Sequence, residues 1–322
     1  MEREKRSLLD SGMIQGGVIL TLAFLFAAAV PHVGPIALIV APLPVLYFHT
    51  RLGRKNGLTV LAVSLTAAYV ILSLARQSPN LAVLLMIGFT GVLLSEVLKR
   101  RFSVEKTFAI SSLALFGCAA GFFVYYAVRS GVTPWRMVEI YVSGIVQENI
   151  KLYSQLNLSE EQIQLIRQSA PEIAAVFTGI FPAMTLAGFI FTVWFNLLVG
   201  RRLFQINALP FPDFGDLAAW KAPERLVWLL IAAGGMVMAP VEGFGLVGAN
   251  ILILCGVVYL FQGLAIASFF FREKRVPAMI RWLFYLLILI QQYMLILVAA
   301  LGLFDMWVDF RKRIGGMKNA PA

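Results

Sequence analysis

Residues 250–271 read NILILCGVVYLFQGLAIASFFF, and this stretch decides the fold. It is long and apolar enough to cross a bilayer, which takes about 20 residues. Its polarity is sparse, with Gln262 beside Gly263 and Tyr259 one turn earlier, and Arg272, Lys274 and Arg275 mark where it leaves the lipid. The same pattern of apolar run, few uncharged polar groups and basic exit recurs along the chain. It defines an all-α, polytopic transmembrane helical bundle.

Composition agrees. The chain is 60% hydrophobic and 14% charged, with a mean hydropathy of +0.82, against about half apolar and a quarter charged in soluble domains. The net charge of +10 does not point to nucleic acid, because the 27 Lys and Arg fall between apolar spans or at the termini, where the positive-inside rule puts them. Cys118 and Cys255 lie inside spans, and His32 and His49 flank one short span without a partner at ligand spacing. No disulfide framework, metal site or cofactor is expected. The first span runs on into more apolar sequence and reads as a signal anchor.

Nine spans are expected, at 12–30, 36–49, 57–75, 81–98, 107–128, 173–199, 226–241, 250–271 and 278–301. Gly12 and Gly16 form a GxxxG, which lets helices approach closely. The sequence PHVGP at 31–35 makes a tight turn. Span two is short and holds Pro42 and Pro44, and span seven holds Gly234, Gly235 and Pro240. Prolines remove backbone donors, and carbonyls freed in lipid must be met by protein or a watery cavity. Such broken spans point to a binding site.

In span three, Thr59, Ala62, Thr66, Tyr69, Ser73 and Arg76 recur at three-four spacing, predicting an inward polar face. Thr178, Pro182, Thr185, Phe189, Thr192 and Asn196 predict another in span six. Gly88, Gly91 and Ser95 share a face of span four, where Glu96 precedes Lys99 as a local ion pair. Ser111, Ala114, Cys118, Gly121 and Tyr125 predict a small-residue packing face in span five.

Residues 129–171 form an amphipathic helical insertion. Thr133 caps a helix opening at Pro134, and Trp135, Val138, Val142, Ile145 and Leu152 predict its docking face. Ser159 with Gln162 reads as a capping box opening a second helix. Asn157-Leu158-Ser159 matches a glycosylation sequon.

The whole, 1–322, is expected as a single integral domain in a bacterial cytoplasmic (inner) membrane, multi-pass, with its N-terminus in the cytoplasm. That orientation places 18 of the 27 Lys and Arg in cytoplasmic segments and 9 outside. Nine spans leave the tail, with Arg311, Lys312 and Arg313, outside, against the positive-inside rule. Eight spans, with span two or seven re-entrant, bring it in.

No GxxxxGK[ST], HExxH or GxSxG occurs, and no span holds paired carboxylates. An enzyme is not expected, nor ATP use by a phosphate loop. The candidate ligand-binding residues are uncharged or peripheral: Gln262, Tyr259, Gln292, Tyr285, Asn250, Tyr69 and Thr66, with Glu242 at the outer mouth. Gln262 is expected to face protein, because its amide is costly to leave unbonded in hydrocarbon. Tyr285 and Gln292 are its expected neighbours, since consecutive spans pack together. The competing reading is interhelical hydrogen bonding, worth about 0.6 kcal/mol each.

The run Phe211, Trp220, Pro223, Trp228, the stretch YLFQGLA (259–265) and the tail GLFDMWVDFRKR (302–313) resemble the YybS family of uncharacterised bacterial membrane proteins. Residues 12–75 also resemble substrate-binding subunits of energy-coupling-factor vitamin transporters: an Ala-rich helix ending in Pro31, a short Pro-containing helix, a basic RLGRKNG turn and a third helix. That resemblance implies small-vitamin binding and ATPases borrowed from partners. Two functions follow. One is a small-molecule, vitamin-like transporter or its substrate-binding subunit, with ATPase coupling subunits as partners and a small-molecule ligand. The alternative is a membrane scaffold or assembly factor with no substrate, bound to other membrane proteins. In either the lipid bilayer is a partner and nucleic acid is not.

Overall fold

A computed structural model describes residues 2–29, 34–77, 80–155 and 159–316. Most of the expected PHVGP turn, including His32, and Asn157 and Leu158 of the sequon lie outside the described residues. Twelve α-helices are described: α1 Glu2–Ala29, α2 Gly34–Val40, α3 Pro42–Leu74, α4 Leu81–Lys99, α5 Val104–Arg129, α6 Pro134–Tyr153, α7 Glu160–Ile206, α8 Leu226–Met238, α9 Phe244–Glu273, α10 Ala278–Ile290, α11 Gln292–Val308 and α12 Phe310–Gly316. A single 3-10 turn, Leu217–Ala219, precedes α8.

All nine expected apolar segments are helical, but fewer of them are independent crossings. Among the described residues, six stretches are long and apolar enough to span, and α10 with α11 makes a seventh only if the two count together across a 110° bend. Expected spans two and three are the arms of α3, which reverses at Gly53 (φ 79°, ψ 171°), a conformation open to glycine alone. Helix α8 has 13 residues and is roughly 20 Å long, short of the roughly 30 Å hydrocarbon core.

The chain packs as two compact units, Met1–Tyr125 with Gly188–Phe214, and Tyr126–Ala187 with Gly215–Ala322. In the first, α1 lays its GxxxG on α3: a Cβ on Gly16 would sit 2.9 Å from the Phe48 ring, and one on Gly12 3.3 Å from Leu52. Ser64 ties the second arm of α3 to α1 by donating to the Gly17 carbonyl at 3.1 Å. Gly57 presses that arm against the first, where a Cβ would lie 2.8 Å from the His49 Cα.

The expected inward face of span three is corrected. Thr59, Ala62, Thr66, Tyr69, Ser73 and Arg76 are all exposed, while Gly57, Val60, Leu61, Ser64, Ala68 and Leu72 are buried. Thr59 and Thr66 donate to the Lys55 and Ala62 carbonyls one turn back. Their hydroxyls are satisfied on their own helix, so the larger apolar stripe decides which side is packed. Gly88, Gly91 and Ser95 of α4, expected on one face, are all buried. The packing face of α5 holds only in its first turns: Ser111 is buried with Ser112 and Leu115, but Cys118, Gly121 and Tyr125 are exposed.

In the second unit, Thr133 accepts from the Arg136 N–H and caps α6, which buries Val138 and Val142 as expected. Trp135, Ile145 and Leu152 of the expected docking face stay exposed, and Ile150 is buried instead. The Ser159–Gln162 capping box forms in both directions. The helix it opens does not stop at span six but runs through Pro171 and Pro182 for 47 residues. At roughly 70 Å, α7 exceeds twice the thickness of the hydrocarbon core.

The glycine contact in α3 yields a direct test. Gly57→Ala is expected to lower thermal stability in detergent by roughly 1–3 kcal/mol through overpacking against the His49 backbone. Gly117→Ala, with nothing within 4 Å of the new methyl, leaves the midpoint unchanged or slightly raised.

Candidate functional site

Polar groups of the second unit converge on Gln262, which is 2% exposed. Helices α9 and α11 meet through two glycines: a Cβ on Gly263 would strike the Val298 carbonyl, and one on Gly302 the Tyr259 carbonyl. This contact brings Asp305 beside Gln262. The Gln262 amide donates to Asp305 Oδ2 at 3.0 Å, and its carbonyl accepts from the Ala222 N–H at 3.1 Å. Arg311 closes the cluster. Its Nη1 reaches Asp305 Oδ2 at 2.8 Å, its Nη2 the Trp220 carbonyl at 2.8 Å, and its Nε the Ala218 carbonyl at 3.1 Å. Asp305 Oδ1 accepts the Phe310 N–H at 2.9 Å. A carboxylate, a guanidinium and an amide thus fasten one loop, 218–222, and one helix end.

The same contacts set the path of the tail. Helix α11 follows α9 only as far as Tyr259, whose hydroxyl lies 3.6 Å from the Met306 sulfur. The chain then turns back at Asp309 (φ 44°), which brings Arg311 to the loop. The exit of α9 meets that loop too, because Arg272 pairs with Asp216 at 2.7 Å. Lys221 and Lys312 hold Asp309 at 3.3 and 3.1 Å. Helices α10 and α11 are bent at Gln291, and the basic tail and the basic exit of α9 are both fastened to the 216–222 segment. Expected span nine is not one straight helix: it is broken at Gln291 into α10 and α11, which meet at 110°.

The other candidates lie apart from Gln262. Tyr285 shares a 3.0 Å hydrogen bond with Ser268, and Gln292 is exposed at the α10–α11 break. They are not the neighbours of Gln262; the bend at Gln291 (φ −103°, ψ 102°) takes them away. Glu242 is exposed before α9. Asn250 reaches α7 instead: its amide donates to the Gly179 carbonyl at 2.8 Å and accepts from the Ala183 N–H at 3.0 Å. Those groups are the two ends of one helical rung beside Pro182, so Asn250 splints α7 where proline weakens it. Tyr69 and Thr66 belong to the first unit. Thr66 lines an open groove of about 600 Å³ with Ala62, Val63, Ala67, Val70 and Ile71.

Three participants were missed from sequence, whereas Asn196 stood on the expected inward face of span six and is buried. Asp305 and Arg311 stood in a tail that reads as merely amphipathic, although a single Asp inside GLFDMW is the kind of residue that demands a partner in lipid. Asn196 donates to the Ile39 carbonyl at 2.8 Å, next to the α2–α3 break. His49, 2% exposed, meets Ser95 at 2.9 Å and Glu96 at 3.8 Å. No local spacing shows a pairing 46 residues apart.

Helices of this length and apolarity, with their polar side chains turned onto one another and onto backbone, define a polytopic helical membrane protein. The chain belongs to the DUF2232 family of predicted membrane proteins, whose model matches residues 18–306. It is similar to the uncharacterized protein YybS of Bacillus subtilis (strain 168), with 22% identity over 325 residues, 97% of this chain and 99% of that protein. No solved structure matches it.

Three measurements check this site. Asp305→Asn leaves the buried Arg311 charge uncompensated and is expected to cost about 3–5 kcal/mol in a detergent unfolding assay. In a Cys118→Ala background, Lys274→Cys and Lys312→Cys are expected to react with an impermeant maleimide from the same side of sealed vesicles, because both ends are fastened to the 216–222 segment; labelling from opposite sides refutes this. Asp309 supplies the pH dependence. Its bond to Lys312, with Lys221 behind it, holds the carboxyl below its ordinary value. A lowered carboxyl contributes fully above the unfolded value, and that contribution is lost as pH falls through the lowered one. The protection factors of 309–313, taken against the intrinsic exchange rate at each pH, are expected to fall on acidification across that window, and Asp309→Asn removes this component.

Proposed function

We propose that this protein is a non-enzymatic membrane scaffold or assembly factor, in the cytoplasmic membrane with its N-terminus and basic loops on the cytoplasmic side. One observation carries the reading: Gln262 and Asn250, which sequence groups with the ligand contacts, are committed to holding the fold. Gln262 is bonded to Asp305 and the Ala222 N–H, and Asn250 bridges a rung of α7. The space beside Gly263 is filled by α11. Exposed apolar residues remain on α6 and at the start of α7, among them Trp135, Tyr141, Ile145 and Leu165. These suit a partner or the membrane surface better than a small solute.

The transport reading, a substrate-binding subunit for a vitamin-like molecule, draws on the break at Gln291 and on the likeness of residues 12–75 to vitamin-transporter subunits. Broken helices surround solute sites in transporters. Here the breaks that carry an amide splint have their freed groups met by protein, which favours the scaffold.

Affinity purification in mild detergent separates the two. The scaffold reading expects membrane protein partners at fixed stoichiometry. It also expects Gln262→Leu to lower stability by roughly 1–3 kcal/mol without displacing a small molecule. A stoichiometric small molecule, bound to the parent chain and absent from a stably folded Gln262→Leu variant, would establish transport-type binding instead.

A further inference from the structure

We propose that the His49 imidazole is a proton-binding site in the first unit, and that loading it draws the Glu96 carboxylate from Lys99 to His49. The direction of a hydrogen-bonded chain carries this. Thr50 Oγ1 lies 2.8 Å from the Leu46 carbonyl, which can only accept, so the Thr50 proton points there. Ser95 Oγ lies 2.8 Å from Thr50 Oγ1 and must donate to it. The Ser95 oxygen therefore accepts from His49, at 2.9 Å, and Nδ1 carries a proton.

That leaves Nε2. It is buried without a hydrogen-bond partner and faces Glu96 Oε1 at 3.8 Å. In the neutral ring a lone pair confronts a carboxylate with nothing between them. A proton taken from water onto Nε2 turns this opposition into an ion pair, with an N–H directed at Oε1. No other bond is made or broken except the competing contact of Glu96 with Lys99, now 2.7 Å long.

The charged groups that face the ring are Glu96 and Lys99 on α4 and Arg54 on the second arm of α3. The ring is clamped as well, since a Cβ on Gly57 would lie 3.1 Å from its Cδ2. It therefore cannot swing away to solvent to find another partner. Loading His49 frees the Lys99 ammonium at the start of the basic segment 99–106, which makes proton occupancy readable at the surface.

The chain has two histidines, so a ¹⁵N-histidine label in the full-length His32→Gln protein, held in lipid nanodiscs, reports His49 alone. At about pH 8 the ring is expected as the Nδ1–H tautomer, the reverse of the form free imidazole favours, and at about pH 5 as the doubly protonated cation. Ser95→Ala is expected to restore the Nε2–H tautomer at the higher pH. At about pH 6.5, Glu96→Gln lowers the doubly protonated fraction and Lys99→Met raises it. An Nε2–H tautomer at the higher pH in the unsubstituted site overturns the proposal. So does a ring that stays singly protonated down to the lower pH. If Glu96→Gln does not fold, the parent spectrum and Lys99→Met still decide.

Discussion

A backbone carbonyl or N–H released inside an apolar environment has to find a partner, because unmet groups there cost several kcal/mol each. Much of this structure follows from that constraint. Prolines and loops break helices at several points, and polar side chains from elsewhere in the same unit repair the damage. Asn196 meets the Ile39 carbonyl at the α2–α3 step. Asn250 inserts between Gly179 and Ala183 beside Pro182. Arg311 and Gln262 meet the Ala218 and Trp220 carbonyls and the Ala222 N–H in the loop before α8. The amides look like ligand contacts in sequence, yet each is matched to a backbone defect.

Close approach of helices makes these repairs possible. A Gln or Asn side chain reaches a neighbouring backbone only if the helices come near, and glycine provides that at Gly263 and Gly302, at Gly57, and at Gly179, where a Cβ would lie 2.5 Å from Leu246. Gly179 lets α9 come within reach of α7, and Asn250 then completes the contact. The Gly263–Gly302 crossing does the same for Gln262 and Asp305. Packing and polar satisfaction are therefore coupled: a side chain added at one of these glycines separates the hydrogen-bonded groups as well as the helices.

The Asp305–Arg311 pair is a different kind of element. Buried ion pairs gain little net stability over apolar replacements, but their geometry is demanding. Here Arg311 uses three nitrogens on one carboxylate and two carbonyls, an arrangement that admits one register of the tail against one loop. The pair thus specifies where the tail after α11 is fastened. The 22% identity to YybS over almost the whole length is in keeping with a fold held by general apolar patterning plus a few such specifying contacts.

Sequence alone determined the membrane class, the helical positions and the caps at Thr133 and Ser159, because hydropathy and capping act over short distances along the chain. It also determined that Gln262 is buried, since an amide in hydrocarbon has no favourable alternative. It could not give the side on which Thr59, Thr66 and Tyr69 lie, because a threonine bonded one turn back is satisfied facing either way and the period marks a face without its direction. It could not distinguish one straight helix from the bent pair α10–α11, since both are equally apolar and the difference rests on one bend at Gln291. The cross-helix partners of Gln262, Asn250 and His49 were decided by tertiary structure alone: each lies 40 or more residues away in sequence, and only the packing of glycine-lined helices brings such groups within hydrogen-bonding distance.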